Sequence, residues 1–114
     1  MPTFGSRQHC EVYDKLKEVF PYIKIITEHH IGQRLFLDIY IPQFKAGIEV
    51  NGAQHYKFIP FFHGSEDRFE EYKMLDMKKI RLCTEQGIGL YIVKYDEVFD
   101  IDDFIQFINT FLRE

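Results

Sequence analysis

Asp38 and Glu49 are carboxylates set into apolar, β-prone sequence, in the stretch LFLDIYIPQFKAGIEVNGAQHY over residues 35–56. A carboxylate among apolar strand residues is costly unless it is paired, hydrogen-bonded or metal-bound. Two carboxylates converging from neighbouring strands would make a hard-oxygen site suited to Mg²⁺ or Mn²⁺. Such a site fits phosphodiester chemistry. The alternative for each acid alone is a strand-end residue facing solvent.

The elements that must carry these acids are two strands. Leu35, Leu37, Ile39 and Ile41 alternate with Phe36, Asp38 and Tyr40, and Ala46, Ile48 and Val50 continue beyond a short Pro42-Gln43-Phe44 turn. Alternation at period two predicts paired strands over 34–41 and 46–51. An earlier strand is expected over 22–31, with Gly32-Gln33 as the tight turn between. His29 and His30 are neighbours in that strand and point to opposite faces, so they cannot chelate one metal together. Glu28 lies on the same strand and could reach the edge of the site. Ahead of it, Val12, Leu16 and Val19, with Tyr13 and Phe20, mark a helix that Ser6 can cap and Pro21 ends.

A longer helix is predicted from about Glu66 to Gln86, stopped by Gly87. With Tyr72 at zero on a helical wheel, Phe69, Leu75, Ile80 and Cys83 fall on its side. Asp76 and Lys79 fall inside the same arc. An acid and a base three apart on a core-facing side either form an ion pair at the core margin or point into a polar site made by the sheet. A fourth strand over 88–95 and an amphipathic helix over 102–112 complete the chain. The aromatic stretch 56–66 reads as an ordered loop, serving as core cover or as a surface that stacks on bases. The fold class is therefore α/β: a single mixed four-stranded sheet flanked by helices, in the order α-β-β-β-α-β-α.

At 114 residues, 46% apolar and 17% aromatic, the chain predicts one packed domain spanning 1–114. No stretch approaches the ~18 apolar residues of a membrane span. The start lacks a signal-peptide pattern, so a cytoplasmic place is expected. Cys10 and Cys83 lack metal-ligand spacing and read as buried, reduced thiols. A formal net charge of −4 argues against a protein that coats DNA by bulk charge.

Five pieces in order carry a resemblance: LFLDIYIP, GIEVNGAQHY, FIPFFHGSEDRF, LDMKKIRLC and GIGLYIV, together covering residues 35–93. They resemble the PD-(D/E)XK nuclease superfamily, with its restriction-endonuclease-like core. More narrowly, they look like small phage and bacterial endonucleases similar to very-short-patch-repair and homing enzymes. The resemblance implies a metal-dependent endonuclease acting on DNA, with Asp38 and Glu49 as metal ligands. It places a lysine two residues after the second acid, where this chain has Asn51. Lys79 is the candidate for a relocated lysine, with Asp76 orienting it or adding to the metal shell. Relatives containing Gln-His imply that Gln54 and His55 line the site, His55 as a proton-transfer group. Relatives also present a Glu near the start of the first helix. Here the inward position is His9, and Glu11 points away.

Two other readings compete with a DNA endonuclease. One is a nuclease-like nucleic-acid-binding module without catalysis, favoured by Asn51 and the acidic charge. The other is an RNA-cutting enzyme. So small a chain has little surface for reading a long site, which suits nicking, a homodimer or a targeting partner protein.

Overall fold

The computed structural model describes residues 7–52 and 64–113. Helix α1 (Arg7–Val19) precedes strands β1 (Ile26–Gly32), β2 (Leu35–Ile41) and β3 (Ala46–Asn51). Helix α2 (Glu66–Glu85), strand β4 (Gly89–Lys94) and helix α3 (Ile101–Arg113) follow. The four strands form one sheet in the order β1-β2-β3-β4. The first two pairings are antiparallel, and β3 with β4 is parallel. This is the mixed α/β architecture that the sequence predicts.

Most boundaries fall within a residue of expectation, and the first strand and its hairpin turn differ most in kind. The first strand begins at Ile26, four residues later than its apolar pattern. Ile26 pairs with Tyr40, so residues before Ile25 would lie beyond the end of β2 and have no ladder partner. They turn instead, with Ile23 N–H donating to the Phe20 carbonyl at 3.3 Å. The hairpin turn is Gln33-Arg34, not Gly32-Gln33. Both residues adopt left-handed φ, 51° and 63°, as a two-residue turn matched to strand twist demands. The Pro42–Phe44 connection is a single 3-10 turn closed by Lys45 N–H on the Pro42 carbonyl.

Helix α2 starts where its chemistry says it should. The Ser65 hydroxyl accepts from Arg68 N–H, and Glu66 and Asp67 sit in the positive first turn. It ends at Gly87, whose φ of +71° continues the chain out of the helix at low cost.

The sheet carries an apolar cluster on each face. On one face, Val12 and Leu16 of α1 and Phe104 and Ile108 of α3 pack on Ile39, Ile41, Ile48 and Val50. On the other, Leu82 and Cys83 of α2 pack on Ile31, Leu37 and Ile88. The even uniformity expected for β2 fails here. Ile39 and Ile41 belong to the first cluster, whereas Leu37, with Leu35 packed beside it, belongs to the second. Alternation therefore breaks at Asp38. In the β1 register, Glu28 stands opposite Asp38, and its φ of +52° is left-handed within a strand. The strand pair is irregular where the first acid sits.

The wheel for α2 also needs correction. Phe69, Leu82 and Cys83 are buried, but Tyr72, Leu75 and Ile80 are 39–47% exposed. The helix meets the sheet through its C-terminal turns rather than along the whole apolar arc. Val19 of α1 and Leu112 of α3, both assigned to apolar stripes, are exposed at the helix ends. Among the described residues, no helix is long and apolar enough to cross a membrane.

Gly47 shows how tightly the α2 side is packed. A Cβ there would lie 2.6 Å from Leu37 Cδ1, and Leu37 is fully buried. Gly47→Ala is expected to lower stability by about 1–3 kcal/mol. Denaturant titration of the two proteins checks it, and an unchanged midpoint would mean that Leu37 has room to move.

Candidate functional site

Strand β3 is central and all six of its residues are buried. Its even positions face the α1/α3 cluster. Gly47, two residues before Glu49, faces Leu37 and Ile88, so Glu49 and Asn51 project toward α2. These two are the buried polar side chains among the described residues. Placing them in a core would be costly without partners.

The partner of Glu49 across the sheet is Asp38. The β2–β3 ladder pairs Ile39 with Ile48, and continuing its register sets Asp38 opposite Glu49. At that rung the carboxylates take the backbone donors. Asp38 N–H donates to Glu49 Oε1 at 2.9 Å, and Val50 N–H donates to Asp38 Oδ2 at 2.8 Å. Each acid is thus locked to the other's strand. The two acids come to one rung of the sheet, each carboxylate bonded to the partner strand's backbone.

A cation stands behind each acid. Lys79 Nζ donates to Glu49 Oε2 at 2.9 Å, in a pair whose Glu49 side chain is only 6% exposed. His9 Nε2 lies 3.2 Å from Asp38 Oδ2. His9 reaches the site from α1 and Lys79 from α2, so the acid pair is approached from both faces of the sheet. The wheel aimed Lys79 at the sheet, and it points there. Asp76 is half-buried and lines a narrow space of about 20 Å³ with Glu49, Asn51 and Lys79. That volume admits about one water-sized group. Asn51, standing where the resemblance implies a lysine, thus shares a space with the lysine offered in its place. Glu11 pairs with Arg7 on the surface, away from the acids. Gln54 and His55 lie outside the described residues.

The electrostatics follow from burial and like charge. Burial first, and the Asp38 charge second, push the Glu49 carboxyl above its ordinary value, while Lys79 and the Asp38 N–H pull it back. His9 is raised above the ordinary 6.5, chiefly by its hydrogen bond to Asp38 and against the effect of burial. Cys83 is buried, and its thiol is pushed up by burial and then by the Glu49 charge. It is a neighbour of the site rather than a nucleophile. Cys10, expected to be buried, is only half so.

The helical stripe turns His9 inward, but nothing local to the helix encodes its meeting with Asp38. The raised pKa of His9 has a consequence for the metal-free protein. Protonated His9 contributes stability fully below about pH 6.5, and this contribution is lost as pH rises through the folded-state value. His9→Gln should therefore flatten the stability curve on the alkaline side of neutrality. Thermal melts of both proteins from about pH 6 to about pH 8.5 test it. Parallel curves would mean that the His9–Asp38 contact contributes nothing in solution.

The donor set fits a small divalent cation. Two converging carboxylates are hard-oxygen ligands, and Mg²⁺ commonly takes only one or two, completing its shell with waters and substrate oxygens. Among the described residues, no group of three or more His, Cys, Asp or Glu is arranged to hold a metal. Two carboxylates are fewer ligands than a closed protein cage supplies, so the rest of a cation's shell would have to come from elsewhere.

Comparison with known proteins finds similarity to viral proteins. Uncharacterized protein 307L of Invertebrate iridescent virus 6 is 42% identical over 85 residues, covering 75% of this chain and 43% of that protein. Uncharacterized protein 033L of Invertebrate iridescent virus 3 is 36% identical over 75 residues, 65% of this chain and 39% of that protein. Uncharacterized protein 094L of Frog virus 3 (isolate Goorha) is 34% identical over 85 residues, 73% of this chain and 54% of that protein. The chain spans about half the length of these curated relatives, or less. No family model and no solved structure matches it.

Proposed function

We propose that this protein is a divalent-metal-dependent endonuclease of the PD-(D/E)XK kind that hydrolyses phosphodiester bonds of DNA. The observation that carries the reading is the reciprocal lock between Asp38 and Glu49, backed by Lys79. Each acid has its own cation, Lys79 or His9, yet burial and then the nearby Asp38 charge still raise the proton affinity of Glu49. Like charges kept together in this way favour a bound cation.

Asp38 and Glu49 would hold Mg²⁺ or Mn²⁺, which when bound supplies Lewis-acid activation of water and charge stabilisation on the scissile phosphate. Lys79 keeps Glu49 ionised by its positive charge and presents that charge to the phosphate. Asn51 can donate a hydrogen bond in the same narrow space. Asp76, at the margin of that space, orients Lys79. His9 holds Asp38 from the other face. Gln54 is assigned to positioning and His55 to proton transfer with water or the leaving oxygen.

Incubation with supercoiled plasmid, with and without Mg²⁺, tests the reading. Metal-dependent conversion to nicked or linear DNA is expected. Asn51 in the lysine position favours a second reading, a nucleic-acid-binding module without catalysis. DNA binding with no cleavage in Mg²⁺, nor in Mn²⁺ put in its place, would select it, and cleavage of an RNA substrate alone would change the substrate.

A further inference from the structure

We propose that Phe36 is a stacking platform for an unpaired nucleobase of the substrate, seated beside the Asp38–Glu49 pair. The proposal deepens the nuclease reading and rests on it. Phe36 and Asp38 are two residues apart on β2 and line the same cavity. Phe36 is 48% exposed, whereas Leu37, Ile39 and Ile41 of the same strand are fully buried. With Glu28, Leu37 and Asp38 it lines one open cavity of about 300 Å³. The cavity and the acid pair therefore have Asp38 in common.

The ring has a fixed setting. Across the hairpin His30 pairs with Phe36, their ring centroids 5.0 Å apart and tilted by 51°. Leu37 beside it is fully buried. A ring so held loses little freedom when a second ring stacks on it.

The charges around the cavity choose the occupant. Glu28 supplies a carboxylate to the cavity wall, which accepts hydrogen bonds from the exocyclic amines of bases, while Asp38 stays engaged with Val50 N–H and His9 in the acid pair. An aromatic floor with an acceptor wall suits a base and not the backbone that carries it. In a duplex both faces of a base are stacked, so the base that enters must be unpaired or turned out of the helix. Stacking is tolerant of base identity. Phe36 would thus position a nucleotide relative to the acids while conferring little sequence preference.

The test uses the full chain and a short single-stranded oligonucleotide. An abasic position is stepped along it, and a parallel set carries 2-aminopurine, whose fluorescence falls when it stacks. Phe36→Ala is expected to weaken binding and raise KM roughly 5- to 150-fold, the effect of one base stacked on one ring. Phe36→Trp should retain wild-type affinity. On the wild type, one abasic position should reproduce the loss, and Phe36→Ala should add nothing further on that oligonucleotide. Quenching of 2-aminopurine at that position should disappear in Phe36→Ala. Equal binding of intact and abasic strands by the wild type would overturn the proposal, whether or not the alanine variant folds. Quenching that depends on Phe36, with no cleavage in Mg²⁺, would leave the stacking site standing and remove the nuclease reading.

Discussion

Glu49→Gln and Asp38→Asn are each expected to abolish metal-dependent cleavage while the protein stays folded. Each substitution removes one hard ligand charge from a pair that would hold the cation. Loss of several kcal/mol of charge stabilisation corresponds to more than about a thousandfold in rate. The amide variants are the informative ones because of the lock between the strands. Glu49 Oε1 accepts from Asp38 N–H, and Asp38 Oδ2 accepts from Val50 N–H. An amide oxygen can keep each bond. Alanine cannot, and it would strand a part-buried N–H at about 1–3 kcal/mol. Glu49→Ala and Asp38→Ala are thus expected to lose activity and stability together, contrary to the simpler idea that removing one of two like charges only relieves repulsion. Plasmid cleavage, calorimetric Mg²⁺ titration and thermal melts on the four variants separate these effects. Full activity in either amide variant would dismiss the metal-ligand assignment.

Lys79→Ala should lower turnover by about 10²–10³-fold, the scale of losing one positioned charge at a reacting centre, while Lys78→Ala should change it little. The two lysines are neighbours in sequence. Lys79 Nζ sits 2.9 Å from Glu49 Oε2, whereas Lys78 lines a surface groove with Met74, Leu75, Met77 and Arg81. Removing Lys79 also leaves the Glu49 carboxylate without its cation, a change that can cost up to ~3–5 kcal/mol for a buried pair. Lys79 normally pulls the Glu49 pKa down against burial and Asp38. Without it that pKa rises further, Glu49 is ionised over a narrower range, and the acid limb of the rate profile moves to higher pH. The experiment is a pH–rate profile on both lysine variants under conditions where melts show them folded. An unshifted acid limb in Lys79→Ala would show that Lys79 acts on structure alone. Asn51→Lys in the Lys79→Ala background asks whether the charge can be supplied from β3, since both residues line one narrow space with Glu49.

Much of this architecture was legible along the chain, because it rests on local rules. Period-two alternation marked β2 and β3, with β3 ending where expected at Asn51, and Gly87 marked the end of α2. The order of elements then limited the sheet to a meander with one crossover. Two acids in apolar strands stood out for the same reason: burying a charge is costly, so it must have a partner. Even Lys79 could be aimed, since a helix of regular pitch turns each residue by a known angle.

What only the tertiary structure decided are the meetings between distant segments and the departures from regularity. His9 and Asp38 come together because α1 and β2 pack face to face, and no periodicity within either element encodes that meeting. The break in alternation at Asp38, with Glu28 left-handed across from it, placed Leu37 on one face of the sheet and Ile39 on the other. A strand's pattern assumes an undisturbed partner, and β1 is disturbed at that rung. Burial along α2 was likewise unreadable: the wheel ranks Tyr72, Leu75 and Cys83 as one face, but only the reach of the sheet beneath determines that Cys83 is covered and the other two are not. Periodicity is a property of one element, whereas burial and charge pairing belong to the contact between two.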